Sequence, residues 1–255
     1  MMIREFLKDN MQVRIYSTRE GMGNSAAALA AQCLRELLQR KDEVNLIFAA
    51  AASQVEFLDA IALEKNIPWE RVNAFHMDEY IGLPVTHPQR FGNFLDKRIF
   101  SKLPLKKVYY LNETGDDTEA ESARYAALLQ KMPPDVTFMG IGENTHLAFN
   151  DPHVADFNDA ALVRIIDLDE PCKQQQVHDG CFPSVADVPS WAYTLTIPAL
   201  LRSTYIFCMV PGKNKAQAIK HTLTEAVTAK YPSTALRNHR NAVLFLDKDS
   251  AALIL

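Results

Sequence analysis

The stretch VNLIFAAAASQVEFLDAIALEKNIPWERVNAFHM, residues 44–77, decides the fold class. Residues 44–50 are a short run of apolar, branched and aromatic side chains and read as a strand; residues 53–65 change to helical period, and residues 71–77 return to a strand. On the amino-terminal side, residues 25–41 form a helix with Leu29, Ala30, Cys33 and Leu37 near one face. On the carboxyl side follow a helix near 91–100, a strand at 107–111, and a helix at 117–131 with Ala120, Ala123, Ala127 and Leu128 inward. Pro133-Pro134 closes that helix before a strand at 136–139. Further strands are expected at 162–166, 192–197, 205–210 and 242–246. Strands alternating with helices predict an α/β protein whose mostly parallel sheet is flanked by helices.

With 255 residues, 48% hydrophobic and 23% charged, the chain has enough apolar surface for one large domain, 1–255, and carries no internal repeat or linker composition. Within it, residues 167–189 (DLDEPCKQQQVHDGCFPSVADVP) lose all periodicity, and are expected to be a lid or a long surface loop. Lys and Arg number 27 against 31 Asp and Glu, a net charge of −4, which leaves no cationic surplus for a nucleic-acid backbone. No apolar run approaches a membrane span, and MMIREFLKDN is unlike a secretory leader, so a cytoplasmic protein is expected. Cys33, Cys172, Cys181 and Cys208 are scattered and read as reduced thiols, Cys33 and Cys208 as core.

Ligands of open parallel sheets collect beyond the carboxyl ends of the strands, so the residues there are the candidates for chemistry. HMDEY, residues 76–80, sets Asp78 and Glu79 side by side, where one carboxylate can face a cleft while the other turns away. Asp78 is a candidate general base; taken alone, it serves equally as a helix cap or an ion-pair partner. His76 has no second histidine or cysteine at metal-ligand spacing, so no metal is expected. Gly140 and Gly142, two of only nine glycines, mark a tight turn or close approach, but GIGENTH has neither a dinucleotide nor a nucleotide P-loop pattern. The loop gathers Asn144, Asn150 and Asp151 around His146, which is either a catalyst or a structural histidine. Lys213 and Lys215 stand at a helix start, where cations oppose the dipole unless they hold an anion, and only one of them is expected to face the cleft. Ser53 and Gln54 open another helix and either add donors to that anion or, for Ser53, simply cap it.

Taken in order, FHMDEYIGLP, HPQRFGNFL, FMGIGENTHLAFNDP and VPGKNKA resemble the glucosamine-6-phosphate deaminase/isomerase family over about residues 45–246. The related 6-phosphogluconolactonases usually continue with a serine-leucine-phenylalanine-proline run where this chain has Ala148-Phe149-Asn150-Asp151. The resemblance implies a doubly wound, Rossmann-like fold that converts an amino-sugar 6-phosphate to a ketose 6-phosphate plus ammonia, without metal or organic cofactor. It also admits a homo-oligomer. In its terms Asp78 is the base that moves a proton between C2 and C1, and His146 assists ring opening. Asp151 and Asn144 are the residues flanking that histidine, where the family commonly has glutamate and aspartate, and Lys215 binds the phosphate. Thr145 stands where a glycine is common, and Ala50-Ala51-Ala52-Ser53 replaces a glycine-rich phosphate loop. Residues 167–189 bring Lys173 and His178 but no arginine. These departures imply a divergent branch. The alternatives are a lactonase, in which His146 activates water, and a non-catalytic sugar-phosphate sensor, against which the absence of a preceding helix-turn-helix segment counts.

Overall fold

The computed structural model describes residues 1–112, 117–178 and 180–255. Its elements in chain order begin with β1 (Met2–Lys8), β2 (Met11–Tyr16), α1 (Arg19–Leu38), β3 (Val44–Phe48), α2 (Val55–Ile61), β4 (Val72–His76), β5 (Asp78–Tyr80) and α3 (Phe91–Arg98). Then come β6 (Lys107–Tyr109), α4 (Thr118–Lys131), β7 (Val136–Met139), β8 (Val163–Asp167), α5 (Glu170–His178), β9 (Trp191–Leu195), α6 (Ile197–Leu201), β10 (Tyr205–Val210), α7 (Ala216–Thr224) and β11 (Ala242–Asp247). The main sheet has the order β1-β2-β11-β10-β7-β3-β4-β6 and is parallel except for the β1–β2 hairpin.

Both faces of this sheet are covered, and the strands show it residue by residue. Ile206, Cys208 and Val210 of β10 pack with Tyr125 and Leu129 of α4 and Ile219 of α7 in one core, while the intervening Phe207 and Met209 pack with α1 and α2 in the other. Side chains alternate across a strand, so a strand buried on both faces is apolar at every position. From β3 the chain winds outward through β4 to β6, then returns to β7, β10 and β11 on the other side of β3. The winding reverses between β3 and β7, which is where doubly wound sheets leave a crevice for ligands. The fold is a single α/β domain with a mixed, mostly parallel, Rossmann-like sheet.

Four local expectations are corrected. Strands β8 and β9 do not join the main sheet; with β5 they form a separate antiparallel sheet in the order β5-β9-β8. Helix α1 begins at Arg19, not 25, because Thr18 Oγ1 accepts from Gly21 N at 3.0 Å and caps it. Its buried stripe runs through Met22, Ala26, Ala30 and Leu34, leaving Leu29, Cys33 and Leu37 at the margin, since the alanines let the helix lie close to the sheet. In α4 the inward residues are Glu121, Tyr125 and Leu129, while Ala120, Ala123 and Ala127 are exposed. Polar partners set that rotation: Tyr125 Oη donates to His76 O at 2.9 Å, and Glu121 accepts from Asn112 N at 2.6 Å and pairs with Arg124 at 2.7 Å.

The aperiodic segment 167–189 holds the helix α5, whose buried residues are Cys172, Gln175 and Gln176. A helix that turns amides rather than hydrocarbon inward has no apolar stripe to read. Among the described residues no helix is long and apolar enough to cross a membrane.

Candidate active site

A cavity of about 160 Å³ lies at the carboxyl ends of β10, β7, β3 and β4, and the loops that follow these strands supply its walls. The loop after β4 separates its three polar residues cleanly. His76 is fully buried, with Nε2 accepting from Leu111 N at 2.9 Å, so Nδ1 carries the proton and donates to Asp78 O at 2.8 Å. Burial, with the nearby Arg90 charge, pushes its pKa down to about 4, although the Asp78 carbonyl acts against this. A neutral ring with both nitrogens engaged is a brace for the Asp78 backbone.

Glu79 is buried and turned away from the cavity. Its Oε1 accepts from Tyr80 N and Phe91 N and its Oε2 from Gly92 N, each at 3.0 Å, and Arg90 lies 3.6 Å from Oε2. This carboxylate therefore anchors the first turn of α3. Asp78, at the start of β5, is the other member of the pair: it caps no helix, its carboxylate lines the cavity, and it makes no side-chain hydrogen bond among the described residues. Burial raises its pKa well above the ordinary value, and the Glu79 charge raises it further.

The loop after β7 is wrapped around His146. Its Nδ1 lies 2.9 Å from Asp151 Oδ1, and the same oxygen accepts from Asn144 Nδ2 at 2.7 Å. Asn144 Oδ1 also accepts from His146 N at 3.1 Å, so one amide ties the histidine backbone to the carboxylate that holds its ring. With Nδ1–H given to Asp151, Nε2 is the nitrogen left for the cavity. Burial works to raise the Asp151 pKa, but the His146 charge and the hydrogen bonds from His146 and Asn144 outweigh it and hold the carboxyl below its ordinary value. Gly142 exists for this contact: a Cβ there would sit 2.2 Å from His146 Cε1 and Nε2. Thr145 is strained at φ 75°, a region a β-branched residue rarely enters, and its hydroxyl is buried with no hydrogen-bond partner among the described residues.

Asn150 does not belong to the polar set around the imidazole. Its Nδ2 donates to Leu147 O at 2.7 Å and Leu195 O at 2.8 Å, pinning the loop to β9.

On the opposite wall, residues 52–54 form a short 3-10 turn ahead of α2, and neither the turn nor α2 has a side-chain cap, so Ser53 is not an N-cap. Instead Ser53 Oγ accepts from Gln54 Nε2 at 2.9 Å, and Gln54 Nε2 also donates to Met209 O at 3.1 Å. Gly140 makes room for them, since a Cβ there would meet Ser53 Oγ at 3.0 Å and Gln54 Nε2 at 3.1 Å. Lys215 lines the cavity and is only 6% exposed, whereas Lys213 faces solvent.

Helix α5 covers the cavity with Gln175 and Gln176. Gln175 Oε1 accepts from Glu143 N at 2.8 Å, and Gln176 Oε1 accepts from Tyr80 Oη at 2.8 Å. Phe182 packs on the Tyr80 ring at 5.4 Å, within an aromatic cluster that includes Phe91 and Phe149. The sequence reading missed three contributors. Arg19 reaches the cavity from the start of α1, and the signal that points to it is the alternation over residues 11–16, buried Met11, Val13 and Ile15 with half-buried Gln12 and Arg14, which marks a strand whose end leads into α1. Gln175 and Gln176 sit in the stretch that gave no helical signal.

The family of glucosamine-6-phosphate isomerases and 6-phosphogluconolactonases matches residues 17–245. A glucosamine-6-phosphate deaminase of Listeria monocytogenes serotype 4a is 31% identical over 212 residues, 83% of this chain and 88% of the relative. One from Streptococcus uberis is 30% identical over 240 residues, 94% of this chain and 97% of its own. Among solved structures, a monomeric glucosamine-6-phosphate deaminase superposes with a TM-score of 0.86 at 26% identity, covering 94% of this chain and 99% of that one. A 6-phosphogluconolactonase from Thermotoga maritima shares the fold at TM-score 0.75 and 21% identity, over 92% of this chain and 100% of its own. The winding of the sheet, the loops that converge on His146 and Asp78, and these matches have one conclusion: the chain belongs to the glucosamine-6-phosphate isomerase/6-phosphogluconolactonase family of sugar-phosphate enzymes.

Proposed function

We propose that this protein converts an amino-sugar 6-phosphate, glucosamine 6-phosphate or an epimer, to the ketose 6-phosphate and ammonia. The observation that carries this reading is the Asp78 carboxylate, buried in the wall of the cavity, with no side-chain hydrogen bond among the described residues and with its proton affinity raised. A base for carbon acids needs such a setting: water is kept off, and the raised pKa brings its strength toward that of the carbon it deprotonates. A lactonase, whose step is addition of water to a carbonyl, has no use for it.

In this reading His146 handles the ring-oxygen proton through Nε2, while Asp151 holds its Nδ1–H and stabilises the imidazolium that forms. Opening of the pyranose leaves an aldehyde at C1. Asp78 takes the C2 proton, and the electron pair forms C1=C2 as the C1=O π pair moves to O1, which takes a proton, to give an enolamine. Asp78 returns its proton to C1 while the nitrogen lone pair forms C2=N, and the proton taken up at O1 is balanced by the one released when the iminium is hydrolysed. The resulting C2 iminium adds water and expels ammonia, so one water is consumed for each ammonia released. Ser53 and Lys215, with the backbone at Gly140 and Gly142, hold the sugar phosphate, Gln54 holds Ser53 from behind because both Nε2 hydrogens are given to Ser53 Oγ and Met209 O, and residues 167–189 are the lid. The functional unit is a monomer or a homo-oligomer, as size measurement in solution will decide.

The test is incubation of purified protein with glucosamine 6-phosphate, galactosamine 6-phosphate and 6-phosphogluconolactone, following ammonia, ketose phosphate and acid. Ammonia with ketose phosphate in equal amounts supports the proposal, and the preferred amino sugar names the epimer. Acid from the lactone without ammonia overturns it.

A further inference from the structure

We propose that Arg19 is a phosphate-binding residue, forming with Lys215 a two-cation clamp on the phosphate of the sugar held in this cavity; the inference rests on the sugar-phosphate reading above. Among the described residues that line the cavity, Arg19 and Lys215 are the only lysine or arginine side chains. A sugar phosphate carries close to two negative charges at neutral pH, so a single lysine leaves about one of them uncompensated.

Arg19 is built for the second role. Its Nε donates to Glu56 Oε1 at 2.6 Å and its Nη2 donates to Ala52 O, which fixes the guanidinium plane against the turn that carries Ser53. A guanidinium has five N–H donors, and these bonds leave three with no partner among the described residues. Beside it Ser53 Oγ accepts from Gln54, which keeps the serine's own proton for another acceptor. A fork of N–H groups held in place matches the geometry of phosphate oxygens and has already lost its rotamer freedom. The approach is permitted by Gly23, where a Cβ would lie 2.6 Å from Glu56 Cβ: α1 and α2 touch there, and the contact brings Arg19 alongside residues 52–53.

The covering segment supplies no such charge. Lys173 Nζ reaches Ser190 Oγ at 3.4 Å, outside the cavity lining, and the His178 side chain is 57% exposed with Nδ1 3.9 Å from Glu143. What α5 turns into the cavity is Gln175 and Gln176. The second cation thus comes from the first turn of α1 and not from the covering segment.

Calorimetric titration of wild type, Arg19→Gln and Arg19→Lys with glucosamine 6-phosphate and with inorganic phosphate tests this. Loss of a charge-assisted contact predicts affinity for both anions about 10- to 100-fold weaker in Arg19→Gln, and Arg19→Lys, which keeps the charge but not the fork, recovers part of that loss. Arg19→Met, which keeps the aliphatic stem, replaces the glutamine variant if that one does not fold. Equal losses in the lysine and glutamine variants mean that Arg19 only braces α1 on α2, and overturn the proposal. So do wild-type affinity in Arg19→Gln and a wild type that binds neither anion. Ammonia release is measured in parallel: Arg19-dependent binding without turnover refutes the deaminase reading and retains the clamp, and turnover with Arg19-independent binding does the reverse.

Discussion

Gly142→Ala is the sharpest probe of the His146 assignment, because it adds one methyl group and alters no titratable residue. The backbone at 142 does not lie at positive φ, so alanine meets no conformational penalty there and the whole effect is steric. The new Cβ would sit 2.2 Å from Cε1 and Nε2 of His146 and 2.4 Å from Cδ2, and real Cβ contacts do not fall below 3.0 Å, so the ring must retreat by about 0.8 Å. It cannot do so freely, since Nδ1 is held at 2.9 Å by Asp151, which is itself fully buried and held by Asn144. A displacement of about 1 Å in a catalytic group costs up to about 100-fold in rate, and overpacking of a buried site costs about 1–3 kcal/mol of stability. The expected variant is folded, melts a few degrees lower and turns over about 100-fold more slowly even at saturating sugar phosphate. Turnover from steady-state ammonia release, with affinity from calorimetry, separates these effects. A Gly142→Ala protein with wild-type turnover would refute the reasoning, because His146 would then act from a position this loop does not define.

Asp78→Asn should abolish ketose formation while leaving sugar-phosphate binding measurable. The raised Asp78 pKa sets two signs: turnover falls as pH drops through that raised value, and ionising Asp78 opposes folding above the unfolded value of 3.8. Asp78→Asn should therefore melt above wild type at neutral pH, with the difference vanishing in melts run below pH 3.8. Glu79→Ala removes the acceptor for three backbone N–H groups and strands the buried Arg90, so urea unfolding should register a loss of about 3–5 kcal/mol. Lys215→Ala should weaken sugar-phosphate binding by about 10- to 100-fold in calorimetry, and Lys213→Ala, on an exposed residue, should leave it unchanged.

The sequence by itself determined the fold class and the end of the sheet at which the cavity lies. Strands over Val136–Met139 and Tyr205–Val210 have the predicted bounds, because strands buried on both faces read as nearly continuous apolar runs, interrupted here only by Thr137, whose hydroxyl pairs with Ser203 at 2.6 Å. The loops that end β3, β4, β7 and β10 could be picked out before any coordinates existed, since parallel strands present their ligands at one end only. What the tertiary structure alone decided is which member of each polar set faces the cavity. Asp78 and Glu79 are neighbours of like charge; Glu79 is withdrawn because donors at Phe91 and Gly92, far along the chain, claim its oxygens. Asn150 is withdrawn by Leu195 O on β9, and Glu121 displaces the alanines of α4 because Asn112 and Arg124 meet it inside. Arg19 enters through the packing of α1 on α2, and α5 stays silent because the surface it covers is polar. Hydrophobic period is a property of neighbours along the chain, whereas the partner of a buried charge is chosen across it, and only the folded chain brings the two together.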